Sequence, residues 1–303
     1  MKRKALIAGG IMLALLTPVA FWSVLVAINN RDVEPPSHDD LRASLEKAKS
    51  WLAANHDSIL KQDNPILWWM LKRAVSIQDD KNLRSLYEEY AASHVKPFPR
   101  GAWYRLFEPG PANALDLSSL AHLPDYNLFM LYGITCDRVL ALDDVVKEQK
   151  ERDFCPNRHP VSPACYTHQL MGLQFALQRQ CDDPGTTQAV ADEIKGRIHS
   201  QLLWDPRVVD VYIQRVLLLV DSGWGDRIKP VWIRRILDSQ LADGSWSDFD
   251  ALIAFNASCQ VGFSSSGVAV CRSAVGSFHT TAQATYLLSL LLKTGPESGH
   301  ASE

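Results

Sequence analysis

The 303-residue chain has no excess of charge of either sign: 31 Lys and Arg stand against 34 Asp and Glu, a formal net charge of −3. That balance lacks the basic footprint that binds nucleic acid, so nucleic-acid partners are set aside. A disorder-promoting composition is missing too. Hydrophobic residues make up 47% and charged residues 21%, enough to bury the core of one large domain or two small ones. No convincing run of polar/apolar alternation marks a strand. What the chain does contain is six cysteines, an even number whose meaning depends on the compartment.

The N-terminus speaks to the compartment. Residues 1–4 carry Lys2, Arg3 and Lys4, and an uncharged run follows from Ala5 to Ile28. Those 24 residues exceed the roughly 20 that a bilayer core requires. The reading is a transmembrane signal anchor over 5–28, single-pass in the cell membrane, with the basic end in the cytoplasm and the bulk in the periplasm or another extracytoplasmic space. A cleaved signal peptide is the rival, but a cut after Ala20 would place Pro18 where a small residue is wanted. Residues 29–38, with Pro35-Pro36, read as a linker. The folded domain then spans 39–293, and 294–303 form a disordered tail.

Within 39–293 the periodicity is helical. Leu41, Leu45, Ala48 and Leu52 share one face, after a capping pair Ser37 and Asp40. Asn64-Pro65 opens an apolar helix, and helical patterns recur at 125–136, 138–150, 166–180, 187–203, 208–222, 229–241 and 280–293, while 95–124 is proline-rich and irregular. Apolar segments alternate with amphipathic ones, so about five helical hairpins can close into a ring with the apolar helices inside. The expectation is an all-α fold, an α/α toroid behind the anchor. An irregular bundle or open solenoid is the alternative.

A resemblance points the same way. The segment Lys229–Trp246, with Gln240, Gly244 and Trp246, resembles the QW motif of the squalene–hopene and oxidosqualene cyclases and their α/α-toroid relatives. The resemblance covers about 229–293 and implies a structural staple between hairpins. The catalytic signatures of those enzymes are absent. There is no D-x-D-D run, Asp143-Asp144 does not continue as D-D-x-x-D, and Cys259-Gln260 is not the C-G-E-Q thioester. The His279-Thr-Thr-Ala-Gln-Ala-Thr-Tyr286 segment also resembles the histidine segment of protein prenyltransferase β-subunits, which bind zinc with Asp, Cys and His. Asp248 or Asp250 with Cys259 or Cys271 could complete such a set, although the family's Asp and Cys lie almost adjacent and these do not. The expectation is therefore no cofactor, with zinc as the alternative.

In an oxidising compartment the default for Cys155 with Cys165, and for Cys259 with Cys271, is a disulfide that closes a short loop. Cys136 and Cys181 either pair or stay as buried thiols. In a ring of hairpins the inner-helix N-termini converge on one mouth. Here they carry Asp125-Tyr126, Thr167-His168 and His279-Thr280. Free amides and helix dipoles suit an anionic or polyhydroxyl ligand there, and His279, His168, Asp250 and Asp248 are the candidate acid–base groups. Three functions are open: an envelope protein that binds an unknown ligand or partner protein and meets the inner membrane through its N-terminal helix, a polysaccharide lyase or hydrolase, or an isoprenoid-type enzyme. Each histidine has the plainer alternative of capping its helix or of being a satisfied core residue.

Overall fold

The computed structural model describes residues 17–99, 101, 103–108, 117–120, 123–159 and 161–294. Helices dominate: α1 (17–30), α2 (His38–Ala54), α3 (His56–Ile59), α4 (Pro65–Gln78), α5 (Lys81–Tyr90), α6 (Tyr104–Phe107), α7 (Asp125–Thr135), α8 (Arg138–Leu142), α9 (Asp144–Lys150), α10 (Cys165–Arg179), α11 (Pro184–Trp204), α12 (Asp210–Asp221), α13 (Pro230–Asp238) and α14 (Phe278–Thr294). Their starts follow local chemistry. Ser37 Oγ accepts from Asp40 N at 3.1 Å while the Asp40 carboxylate accepts from Ser37 N at 3.0 Å, which fixes the first turn of α2. Asp80, Asp137, Asp143 and Asp183 cap α5, α8, α9 and α11 in the same sense.

α14 is the hub. Every residue from Thr280 to Leu290 is buried, and the helix packs on α4, α12 and α2. Two of its small polar residues are satisfied within the helix, which allows that closeness: Thr285 Oγ1 donates to Thr281 O and Ser289 Oγ to Thr285 O. The major packings run α4–α14–α12–α10–α7, with α2, α5, α9 and α11 on the outside. α7 and α10 approach backbone to backbone at Gly133 and Gly172. Trp69 of α4 meets Phe175 of α10 edge-on at 5.1 Å, so aromatic packing joins helices that are not neighbours in this series.

The structure corrects the expected fold in three respects. First, the chain is not all-α. A three-stranded antiparallel sheet, β1 (Phe249–Asn256), β2 (Cys259–Ser264) and β3 (Gly267–Arg272), stands in the order β1-β2-β3. Two register irregularities interrupt β1, and the turn Ser264–Gly267 breaks the apolar pattern of β2 and β3, which hid the sheet from a search for clean alternation. Second, the ring is not made by the apolar helices alone: among the described residues the main packing runs from α4 to α7 through α14, α12 and α10, and α7 connects back to α4 by way of α6, residues 91–95 and α5.

Third, the single-pass membrane anchor is overturned. Of the span 5–28, residues 5–16 lie outside the described residues. The rest, 17–28, belongs to α1, which runs on through Asn30. Among the described residues no helix is long and apolar enough to cross a membrane. The end of α1 is built into the domain instead. Asn29 is fully buried; its Nδ2 donates to Leu202 O at 2.6 Å, its Oδ1 accepts from Tyr212 at 2.8 Å and from Arg235, and its carbonyl accepts from Trp232 Nε1 at 3.0 Å. The linker that follows is also held, since Arg234 donates to the Glu34 and Pro35 carbonyls. The proposed tail at 294–303 lies outside the described residues except for Thr294, the last residue of α14.

All six cysteines are paired. Cys155–Cys165 and Cys259–Cys271 bond as expected, and Cys136–Cys181 resolves the open case by joining the end of α7 to the second residue after α10. Three disulfides fit an oxidising, extracellular setting.

Candidate functional site

The N-terminal turns of α4, α7, α10, α12 and α14 face one cavity of about 400 Å3. Pro65 at the first position of α4 and Pro124 just before α7 set those helix starts without needing a backbone donor. Their positions bring Asn64, Tyr126, His168, Gln214, His279 and Gln283 to one lining. His168 and His279, singled out in the sequence, therefore share one space.

His168 is half-buried and stacks on Tyr126, with ring centroids 4.3 Å apart and planes 20° from parallel. Burial first, and then the electrostatic influence of His279, lower its pKa to about 4. His279 is open to the cavity, yet desolvation in the concave site lowers its pKa too, against the opposing charges of Asp210 and Asp248. Two imidazoles, neutral at neutral pH, thus share the cavity, each offering one donor and one acceptor.

The two aspartates take other partners. Asp248 pairs with Arg272 at 2.6 Å and influences His279 only through its charge. Asp250 accepts from Val208 N at 2.9 Å, and burial raises its pKa. Neither lines the cavity. The zinc set fails on its chemistry: Cys259 and Cys271 are bonded to each other and have no thiolate to give, and Asp248 already holds a guanidinium.

Several residues matter that sequence reasoning missed. Gln283, one turn after His279, is 1% exposed, lines the cavity and leaves its Oε1 without a hydrogen-bond partner. The i, i+4 spacing from His279 was the available signal. Gln214 accepts from Thr167 Oγ1 at 2.7 Å, which orients its amide. Asp210, at the start of α12, has a buried Oδ1 with no partner and lies within the electrostatic reach of His279. Among the described residues no Lys or Arg lines the cavity, and Asp63 is the one carboxylate.

A second cavity of about 420 Å3 shares the wall formed by Asp63, Pro65, Trp103 and Leu123. Its aromatic lining includes His94, stacked on Tyr90 at 4.7 Å, and Phe98, which is 60% exposed. The irregular stretch after Val95 therefore contributes to the site.

The QW-like residues lie elsewhere. Gln240 Nε2 donates to Ser44 O at 2.9 Å and Gly244 O at 2.8 Å, and its Oε1 accepts from Ser44 Oγ at 2.9 Å. Trp246 is 1% exposed, and its indole donates to Ile236 O at 2.7 Å. These bonds pin the 241–246 loop onto α2 and α13. Comparison with family models, curated proteins and solved structures finds no match.

Proposed function

We propose that this is a binding protein of an oxidising, extracytoplasmic compartment, and that its double cavity holds a neutral polyhydroxyl ligand such as an oligosaccharide. The observation that carries the reading is the composition of the first cavity. Helix N-termini converge on amide side chains and two neutral imidazoles, with no Lys or Arg among the described lining residues. An anionic ligand would be expected to meet a cation, and here Asp63 repels it. Hydroxyls can instead donate to Gln283 Oε1 and accept from amide or imidazole N–H groups. Tyr126 and Trp103 supply apolar faces for sugar rings. Two adjoining cavities suit a chain of more than one ring.

The test is ligand-induced thermal stabilisation with neutral oligosaccharides, oligouronates and inorganic phosphate, on the intact chain and on Gln283→Leu. Stabilisation by a neutral oligosaccharide that Gln283→Leu abolishes supports the proposal. Stabilisation by phosphate or oligouronates alone refutes it.

A second reading, a hydrolase or lyase, is favoured by one observation: His279 is neutral, open to the cavity and within the field of the unpartnered Asp210. A neutral imidazole so placed can take a proton from substrate or water. His279→Asn tests this, because it keeps a polar side chain at the second position of α14 but cannot shuttle a proton at neutral pH. Retained folding with lost turnover supports catalysis, and retained turnover removes it.

A further inference from the structure

Away from the cavity, the sheet and α1 together present an uncharged apolar face. From Ala251 to Cys271 the chain carries no Asp, Glu, Lys or Arg, and neither do residues 17–30. Every residue of β1 from Ala251 to Asn256 is exposed. The register sets Ile253, Val261 and Val270 in one cross-strand row. Two residues along β2 from Val261, on the same face, Phe263 meets Trp22 of α1 edge-on at 5.8 Å. On α1, Phe21, Val24 and Ile28 recur at helical spacing and are exposed. Sheet and helix are thus continuous, and Phe255 and Val270 are 69% and 67% exposed. A monomeric protein in water rarely carries such a contiguous surface without an occupant.

We propose that this face rests on a lipid surface. Three observations favour lipid over a protein partner. The outer part of β1 is uncovered on both of its faces, and a rigid partner covers one face whereas lipid surrounds both. The face offers no charged side chain for a partner to recognise, and the β2 backbone groups inside it are spent on the ladders. Charged residues stand where the sheet joins the helices: Asp250, the Asp248–Arg272 pair, and Arg207, which donates to the Ser264 and Ser265 carbonyls. A charged base, an apolar flank and a tryptophan between them match the order of environments at a membrane–water interface. The contact is interfacial and needs no spanning segment.

Hydrogen exchange on the oxidised full-length chain tests this, with and without vesicles of phosphatidylcholine and phosphatidylglycerol. The expected result is at least about tenfold slower exchange of the 251–271 amides with vesicles, as their opening is suppressed. That slowing should vanish in the triple variant Ile253→Asp, Phe255→Asp, Val270→Asp, whose α14 amides should exchange as in the parent. Vesicle binding that leaves 251–271 unchanged overturns the proposal. So does slowing that grows with protein concentration without lipid, since the occupant is then a second copy.

Discussion

Gly244 allows two contributions to stability to be separated by one substitution and a matched control. It sits at φ +95° in the loop that Gln240 pins to α2, and a methyl group built on it overlaps the Lys47 carbonyl oxygen. Gly223 has a similar φ of +82°, but a methyl group there meets open space. Ala at either position takes on left-handed backbone strain of about 1–2 kcal/mol, partly offset by a stiffer unfolded chain. At Gly244 the loop must also retreat from α2. That loosens the Gln240 bonds to Ser44 O and Gly244 O, each worth about 1 kcal/mol net. The expected losses are about 1 kcal/mol for Gly223→Ala and about 3 kcal/mol for Gly244→Ala. Urea unfolding of the oxidised protein, followed by tryptophan fluorescence, measures both. Gln240→Ala combined with Gly244→Ala should cost less than the sum of the singles, because both release the same loop. Equal losses for the two glycine variants, within about 0.5 kcal/mol, would refute the claim that contact with Lys47 holds the loop.

Replacing Asn29 with Leu should cost about 3 kcal/mol in the same assay, because the Leu202 carbonyl and the Tyr212 and Arg235 donors lose a buried partner. Chain-entropy arithmetic assigns about 4 kcal/mol to the Cys136–Cys181 bridge and about 3 kcal/mol to Cys155–Cys165, from separations of 45 and 10 residues; paired Cys→Ser variants should fall in that order. For His168 the folded pKa of about 4 lies below the ordinary 6.5. The unfolded chain therefore takes up the proton first, and stability is full above about 6.5 and lost as pH falls toward 4. The lowered pKa values of His279, His199 and His159 act in the same direction. An NMR titration of the imidazole Cε1 protons should show His168 neutral at pH 6, and His168→Gln should flatten the pH slope of stability. A His168 resonance that titrates near 6.5 would contradict its burial.

The helical periodicity was legible because packing and pattern agree: Leu41, Leu45, Ala48 and Leu52 form the buried stripe of α2 that their spacing implies. The cavity histidines were legible because the starts of apolar helices are marked by composition, although Asp248 and Asp250 were drawn to His279 by sequence nearness alone. Both instead serve the fold around the sheet. Gln283 and Asp210 were hidden because an unpartnered acceptor is a property of the packed state, not of the residue. The sheet was hidden because irregular pairing in β1 leaves both of its faces open, removing the alternation that a half-buried strand shows. The uncharged N-terminal run was read as a bilayer span on its hydropathy, which could not show that Asn29, at its edge, is consumed by contacts up to 206 residues away.

Those Asn29 contacts have a consequence for the order in which the protein folds. The partners of Asn29 lie at 202, 212, 232 and 235, so the first described helix has nothing to lock onto until most of the chain has been synthesised. Contacts closed over such long loops form late and slow the whole reaction. During synthesis α1 waits with its apolar face bare, the condition in which a nascent chain is most open to aggregation and to capture by chaperones. The clamp is therefore also a checkpoint: it closes only on a chain whose C-terminal half has already taken shape.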